Sequence, residues 1–196
     1  AIVVGHLGER VRSYVGDGQA FGVRVTYFEQ PEQLGSGDAI VRAVDFIDDT
    51  VMVIAGDTGF SPSHIKGLAD FHRDRGAEVS LCLKRMTPEG LASTSSVRLE
   101  DDNRITGFVE KPSPGAELGD LAAALLHVYP PELKDYMNKL ALSERGEYEL
   151  TSVLTMMIGD GMLVLGQEYP EAPGLTDVGD FLRLNFDYAE SLLRSP

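Results

Sequence analysis

Short apolar segments rich in β-branched residues alternate with segments of helical periodicity, and this alternation restricts the fold more than any other feature. Residues 51–55 are continuously apolar and are followed by Gly56 and Asp57, a pattern typical of a buried strand that ends in a turn. A helix is predicted next, with Ser61 as its N-cap and Pro62 at its first position. Strands and helices that alternate at this spacing predict an α/β fold with a doubly wound, mostly parallel, Rossmann-like sheet.

One insertion of antiparallel pairing is also predicted. Asp101-Asp102-Asn103 separates two strand-like runs and is typical of a hairpin turn. No repeat, linker or low-complexity tract interrupts the chain, so we expect one domain over residues 1–196. The other strands are predicted at residues 1–4, 23–28, 78–84, 122–129 and 162–165, and further helices at residues 39–47 and 148–158.

The first residues indicate a chain cut from something longer. Ala1-Ile2-Val3-Val4 contains no methionine, no basic segment and no small-residue cleavage site. Because the chain begins inside a strand-like run, we expect an N-terminally incomplete domain whose first strand is missing. A sheet that lacks a strand exposes an edge, which favours self-association, so a homo-oligomer is a further expectation.

Charge and cysteine content exclude several classes of function. The formal net charge is −14, from 31 acidic and 17 basic residues. Such a surface repels phosphate backbones and anionic lipids, so neither nucleic acid nor a membrane is expected as a partner. A small anion can still bind through local cations, backbone N–H groups or a metal ion. Cys82 is the single cysteine, which excludes an internal disulfide and is compatible with a cytoplasmic location; its apolar surroundings predict a buried strand residue.

Two aspartates are candidates for a metal site. Asp57 follows a predicted strand, and ligands of open α/β sheets bind just outside the carboxyl ends of strands. Its carboxylate can hold a divalent ion on a phosphate ester or merely cap the turn, and position alone does not separate these alternatives. Asp177 precedes the last predicted helix, where a first-turn acid is the simpler interpretation. Two such carboxylates can share one Mg²⁺, which prefers oxygen ligands.

Two other segments carry residues suited to a nucleotide sugar. Pro112 is expected to hold Lys111 in an extended conformation, where its charge suits a phosphate and the neighbouring Glu110 can accept hydrogen bonds from sugar hydroxyls. The alternative is a solvated surface ion pair. In the loop after residues 23–28, the Gln30 amide can bind a base edge and Gly35 allows the backbone to approach a base closely. The alternative there is an ordinary strand-to-helix loop.

Together these segments resemble one family, the sugar nucleotidyltransferases. Phe108-Val109-Glu110-Lys111-Pro112 is the most specific segment, because it is similar to the Glu-Lys-Pro with which that family binds a sugar 1-phosphate. Gln30-Pro31 and the later Gly35-Ser36-Gly37-Asp38-Ala39 resemble its base-recognition loop. Ala55-Gly56-Asp57 and Asp177-Val178-Gly179 resemble the segments of its two metal aspartates, and residues 145–151, which include Glu149, resemble another substrate-binding segment.

The resemblance implies a specific reaction. A sugar 1-phosphate, most simply glucose 1-phosphate, is joined to a nucleoside triphosphate, dTTP or UTP, with release of pyrophosphate, as in nucleotide-sugar biosynthesis. It implies Mg²⁺ held by Asp57 and Asp177, with Lys111 positioning the attacking phosphate. The implied substrate-binding residues are Gln30, Gly35, Asp38, Glu110, Lys111 and Glu149. Thymidylyl- and uridylyltransferases for glucose 1-phosphate are the most similar members, with mannose-1-phosphate guanylyltransferases next.

Departures from the family pattern keep a second function open. The family's Gly-Gly-x-Gly-Thr-Arg-Leu loop, which holds the triphosphate, does not occur in the sequence. Ser36-Gly37 replaces the usual Thr-Ala, Ser152 replaces an aspartate, and Leu125 replaces a glycine that contacts the sugar. The alternative is therefore a non-catalytic relative that binds a nucleotide sugar or acts as a regulator.

Overall fold

The computed structural model describes residues 1–169 and 178–194, which form two compact units. The first unit comprises Ala1–Val51 and Pro130–Asp160, and the second comprises Met52–Tyr129 and Gly161–Pro196. The described strands are β1 (Ile2–Val4), β2 (Tyr27–Glu29), β3 (Val51–Ile54), β4 (Val79–Arg85), β5 (Ser95–Leu99), β6 (Ile105–Glu110), β7 (Leu121–Tyr129) and β8 (Val164–Glu168). The described helices are α1 (Gly8–Val15), α2 (Ser36–Arg42), α3 (Pro62–Arg75), α4 (Pro88–Leu91), α5 (Leu133–Met137), α6 (Leu150–Gly159) and α7 (Val178–Arg194).

The first unit is built on a parallel pair of strands. β1 and β2 align Ile2 with Tyr27 and Val4 with Glu29. The predicted strand over residues 23–28 is shorter in the structure, because the Val25 N–H donates to Asp17 O instead of joining the pair. The helix predicted over residues 39–47 ends early as well, since α2 stops at Arg42 and a 3₁₀ turn (Val44–Phe46) follows.

The second unit contains a mixed sheet. Its strands lie in the order β6-β5-β7-β4-β8, with β3 also paired to β7. β4 and β8 are parallel, whereas β7 is antiparallel to both β4 and β5, and β5 and β6 form the predicted hairpin around residues 101–103. The α/β class is therefore confirmed, but a mostly parallel sheet is not what the described strands form. The prediction of a single domain over residues 1–196 stays a prediction.

The core of the second unit lies where α3 packs on the sheet. Ser61 caps α3 as predicted, because its Oγ accepts a hydrogen bond from the His64 N–H at 3.2 Å, and Pro62 is the first helical residue. Leu68 is fully buried against Cys82, Leu126 and other apolar residues of the sheet. The prediction that Cys82 is a buried strand residue is confirmed, and burial raises the pKa of its thiol to about 12.

A buried histidine makes the stability of the second unit depend on pH. His127 lies on β7, is 3% exposed and is bonded through Nδ1 to the Tyr129 hydroxyl at 2.8 Å. Burial lowers the pKa of His127 to about 3, whereas an unfolded histidine titrates near pH ~6.5. As the pH falls from ~6.5 towards ~3, His127 therefore binds a proton in the unfolded chain but stays neutral in the folded chain. The stability that neutral His127 contributes is lost in that window.

We therefore expect His127→Gln to weaken the pH dependence of unfolding. Between pH ~7 and pH ~5 the wild-type protein loses about 2 kcal/mol of stability through this residue alone, and the variant lacks that loss. Urea unfolding of both proteins at the two pH values measures the difference. His6→Gln, at an exposed position of the other unit, serves as the control. An equal pH dependence in His127→Gln and the wild type contradicts the assignment.

Among the helices of the described residues, none combines the length and the apolar character that crossing a membrane requires.

Candidate active site

The loop that begins at Gln30 lies at the carboxyl end of the parallel pair β1–β2. The Gln30 N–H donates to Val4 O at 2.8 Å, which extends the ladder by one bond and fixes the residue at the strand ends. The loop then runs to α2, whose second and third residues, Gly37 and Asp38, are buried. Ligands of α/β folds bind at this end of parallel strands, so the local fold places Gln30 where a ligand is expected.

The Gln30 side chain is tied to two of the other predicted site residues. Its Nε2 donates one hydrogen bond to Gly35 O at 3.0 Å and another to Asp38 Oδ2 at 2.9 Å. Asp38 is only 5% exposed. Arg42, one turn further along α2, supplies the positive partner, with Nη2 at 3.0 Å from Asp38 Oδ1. Gln30, Gly35 and Asp38 thus form one hydrogen-bonded cluster.

Gly35 and Gly37 allow a close approach to the irregular segment around Tyr148. The Tyr148 N–H donates to Leu34 O at 2.7 Å, and Tyr148 O accepts from the Gly37 N–H at 2.8 Å. A Cβ atom on Gly35 or on Gly37 would lie 2.7 Å from Tyr148 O. Side chains at these two positions are therefore incompatible with the observed backbone contact. The two hydrogen bonds hold the loop against residue 148.

Glu149 directly follows Tyr148, and its carboxylate is hydrogen-bonded to two neighbouring side chains. It is 9% exposed and accepts hydrogen bonds from Ser143 Oγ at 2.8 Å and from Arg145 Nε at 3.0 Å through the same oxygen, Oε1. The predicted role of Glu149 in substrate binding stays a prediction. Its contacts in the described residues hold the segment that precedes α6.

Asp57 lies in the turn between β3 and α3 of the second unit and is exposed. Within residues 1–169 and 178–194 its carboxylate makes no hydrogen bond and no ion pair, and the N-cap of α3 is Ser61. The alternative, in which Asp57 caps the turn before Ser61, is therefore not supported by any hydrogen bond of its carboxylate in the described residues. An exposed carboxylate in this turn is chemically suited to Mg²⁺, which takes one or two carboxylates together with water and phosphate oxygens.

Glu110 and Lys111 end the hairpin of the second unit. Glu110 is the last residue of β6 and pairs with Ser95, and the Lys111 N–H donates to Thr94 O at 2.7 Å. The expectation that Lys111 is extended is wrong, since its φ is +43°. Its partner Thr94 directly precedes β5, and Pro112, which follows the turn, is buried. Backbone with such a positive φ costs about 1–2 kcal/mol for a residue other than glycine.

The second predicted metal residue, Asp177, lies outside the described residues. In the part of the chain that is described, no three side chains of His, Cys, Asp or Glu are gathered as a metal centre would require. The site residues fall into two local groups. Gln30, Gly35, Asp38 and Glu149 belong to the first unit, and Asp57, Glu110 and Lys111 belong to the second.

Two arginines of the first unit have a role in the site that reasoning from the sequence did not assign to them. Arg42 and Arg145 each neutralise a buried carboxylate, Asp38 and Glu149 respectively. Both pairs have a spacing of four residues, which is a recognisable signal for ion pairs on a helix face. Only Asp38 and Arg42 lie on such a face, however, whereas Arg145 and Glu149 precede α6.

Comparisons with known proteins give a family match over most of the chain. A family model described as nucleotidyl transferase matches residues 1–184. A glucose-1-phosphate thymidylyltransferase of Streptomyces antibioticus is 31% identical over 199 residues, which cover 97% of this chain and 53% of that protein. A UTP–glucose-1-phosphate uridylyltransferase of Synechocystis is 31% identical over 147 residues, covering 68% of this chain and 37% of that protein. The chain thus spans about half or less of the length of these relatives.

A solved structure has the same fold. The crystal structure of a Bacillus anthracis protein assigned as a glucose-1-phosphate thymidylyltransferase superposes with a TM-score of 0.79 at 24% identity. The match covers 94% of this chain and 74% of that one. At this level of identity the likeness concerns the fold.

Proposed function

This chain belongs to the nucleotidyl transferase family, and from that premise we propose that its protein joins glucose 1-phosphate to dTTP or UTP and releases pyrophosphate. The observation that carries the proposal is the cluster of Gln30, Gly35 and Asp38 at the carboxyl end of β1 and β2. The relatives named for thymidylyl and uridylyl transfer to glucose 1-phosphate support this choice of substrates.

The first unit binds the nucleotide. Gln30 contacts the edge of the base, and Gly35 shapes the loop beside it, because its lack of a side chain admits the Tyr148 backbone. The hydrogen bonds between Tyr148 and the loop keep this part of the site rigid. Rigidity matters because a pre-formed site loses less conformational entropy when the nucleotide binds.

The second unit supplies the residues that bind the phosphates and the sugar. Lys111 carries a compact charge suited to the phosphate of the sugar substrate, and Glu110 can accept hydrogen bonds from sugar hydroxyls. The positive φ of Lys111 is a strained conformation, and such conformations cluster at ligand sites. Asp57, together with Asp177, would hold Mg²⁺, which when bound offsets the negative charge of the triphosphate.

In the proposed reaction an oxygen of the sugar phosphate attacks the α-phosphorus of the triphosphate, and pyrophosphate leaves. No covalent enzyme intermediate is required, so the protein contributes positioning and electrostatic stabilisation. Lys111 aligns the attacking phosphate and lowers its repulsion from the triphosphate.

The test is a substrate panel on the protein that the complete gene encodes. We expect pyrophosphate release with glucose 1-phosphate and dTTP or UTP, and much slower release with mannose 1-phosphate and GTP. The DNA upstream of the Ala1 codon identifies whether a Gly-Gly-x-Gly-Thr-Arg segment belongs to that protein. Binding of a nucleotide sugar without turnover of any substrate pair would favour the alternative, a non-catalytic binding or regulatory relative.

A further inference from the structure

The Gln30 side chain offers a ligand one kind of hydrogen-bonding group. An amide nitrogen carries two N–H groups, and in Gln30 both are used internally, by Gly35 O at 3.0 Å and by Asp38 Oδ2 at 2.9 Å. In the described residues Oε1 accepts no hydrogen bond, and it is not among the buried atoms that lack a partner. Gln30 therefore presents an accessible acceptor and no donor.

Asp38 prevents the opposite orientation of this amide. If the Gln30 amide turned over, Oε1 would face the Asp38 carboxylate and the Gly35 carbonyl, which are both acceptors, and two hydrogen bonds would be lost. The carboxylate itself cannot turn away, because it is 5% exposed and Arg42 bonds to both of its oxygens, at 3.0 and 3.4 Å. The orientation of Gln30 is thus decided by the Gly35 carbonyl together with Asp38, a residue in the first turn of α2.

We propose that Asp38 is a positioning residue that makes this site selective for bases with a ring N–H on their pairing edge. Uracil and thymine carry N3–H and guanine carries N1–H, each of which can donate to Gln30 Oε1. Cytosine and adenine have a bare ring nitrogen at the corresponding place, and two acceptors would then face each other. The inference rests on the proposed function, which assigns Gln30 to the base.

This role differs from the one that the family resemblance implies for Asp38. Both of its carboxylate oxygens are engaged by Gln30 and Arg42 inside the protein, so Asp38 acts on a base through Gln30 and not by direct contact. A loss of its charge is therefore expected to change which base binds, and not only how tightly.

The experiment compares two matched pairs of nucleotides on the protein from the complete gene. UTP and CTP differ only at the pyrimidine pairing edge, as do dTTP and 5-methyl-dCTP, and their Kd values are measured by isothermal titration calorimetry. In the wild type we expect the oxo base of a pair to bind roughly 100-fold more tightly than its amino partner, because a site built to accept a hydrogen bond rejects an analogue that lacks it.

Asp38→Asn tests the positioning role. The introduced carboxamide has both a donor and an acceptor, so residue 38 no longer excludes either orientation of the Gln30 amide. Only the hydrogen bond to Gly35 O then favours the original orientation, by about 1 kcal/mol. We expect the preference to fall below about 10-fold, chiefly because CTP and 5-methyl-dCTP bind more tightly than to the wild type. General damage to the fold would weaken all four nucleotides and cannot produce that gain.

A second variant and a control complete the test. Asp38→Ser removes the buried charge and leaves a hydroxyl that donates or accepts, so it is expected to lower the preference in the same way if Asp38→Asn does not fold. Asp45→Asn, at an exposed position of the same unit, should keep the wild-type preference. An unchanged preference in the folded Asp38 variants overturns the inference and leaves the proposed function intact. Failure of the wild type to bind any of the four nucleotides overturns both.

Discussion

Replacing Asp57 by Asn is expected to abolish Mg²⁺-dependent turnover. Asparagine keeps the shape of the side chain but loses the charge with which a carboxylate holds a hard cation. Metal ions contribute several kcal/mol to stabilising charge in such reactions, so we expect a loss in kcat of roughly 100-fold or more. The measurement is pyrophosphate release as a function of Mg²⁺ concentration, on the protein from the complete gene. From the family resemblance, Asp177→Asn is expected to act in the same way.

The environment of Asp57 makes this a clean test. The side chain is exposed and unbonded within the described residues, so the substitution removes no contact that supports the fold. The Tm of Asp57→Asn should therefore equal that of the wild type. Asp101→Asn, in the exposed hairpin turn of the same unit, provides the matched control and should retain full activity. Normal rates and a normal Mg²⁺ dependence in Asp57→Asn would remove Asp57 from the metal site.

Replacing Gly35 by Ala is expected to cause the largest loss of stability among these variants. Gly35 has φ +100° and ψ 174°, a region that is essentially restricted to glycine. A Cβ atom there would also lie 2.7 Å from Tyr148 O. The Tyr148 backbone cannot withdraw without losing its bonds to Leu34 and Gly37. Strain and overpacking together predict a loss of about 2–5 kcal/mol in the free energy of unfolding.

Urea unfolding at neutral pH measures this loss. Gly159→Ala is the matched control, because Gly159 is the last residue of α6 in the same unit and a Cβ atom there has no heavy atom within 4 Å. We expect that control to be neutral or slightly stabilising, by up to about 1 kcal/mol. Surface substitutions typically change the free energy of unfolding by no more than about 0.5 kcal/mol. If the free energy of unfolding of Gly35→Ala lay that close to the wild-type value, the loop would not be held against Tyr148 as in the structure.

The orientation of the Gln30 side-chain amide could not be predicted from the sequence. Gln30 and Asp38 are eight residues apart, and the sequence places both in one candidate base-recognition loop without indicating a contact between them. Their hydrogen bond arises only because the loop folds back over the start of α2 while Tyr148, more than a hundred residues further along the chain, holds it in place. Contacts between distant segments depend on the whole fold, and a local pattern does not contain them.

The same distinction explains the other successes and errors. Ser61, Pro62 and the hairpin at residues 101–103 were correct because caps and turns depend on a few neighbouring residues. The order and direction of the strands depend on pairing between distant segments, and so the antiparallel β4–β7 pair was not foreseen. Pro112 favours an extended conformation at Lys111, but Lys111 has a positive φ, and its N–H bonds to Thr94, a residue 17 positions earlier in the sequence. The sequence by itself determined the α/β class, the family and the candidate residues, whereas only the tertiary structure decided how their side chains are held.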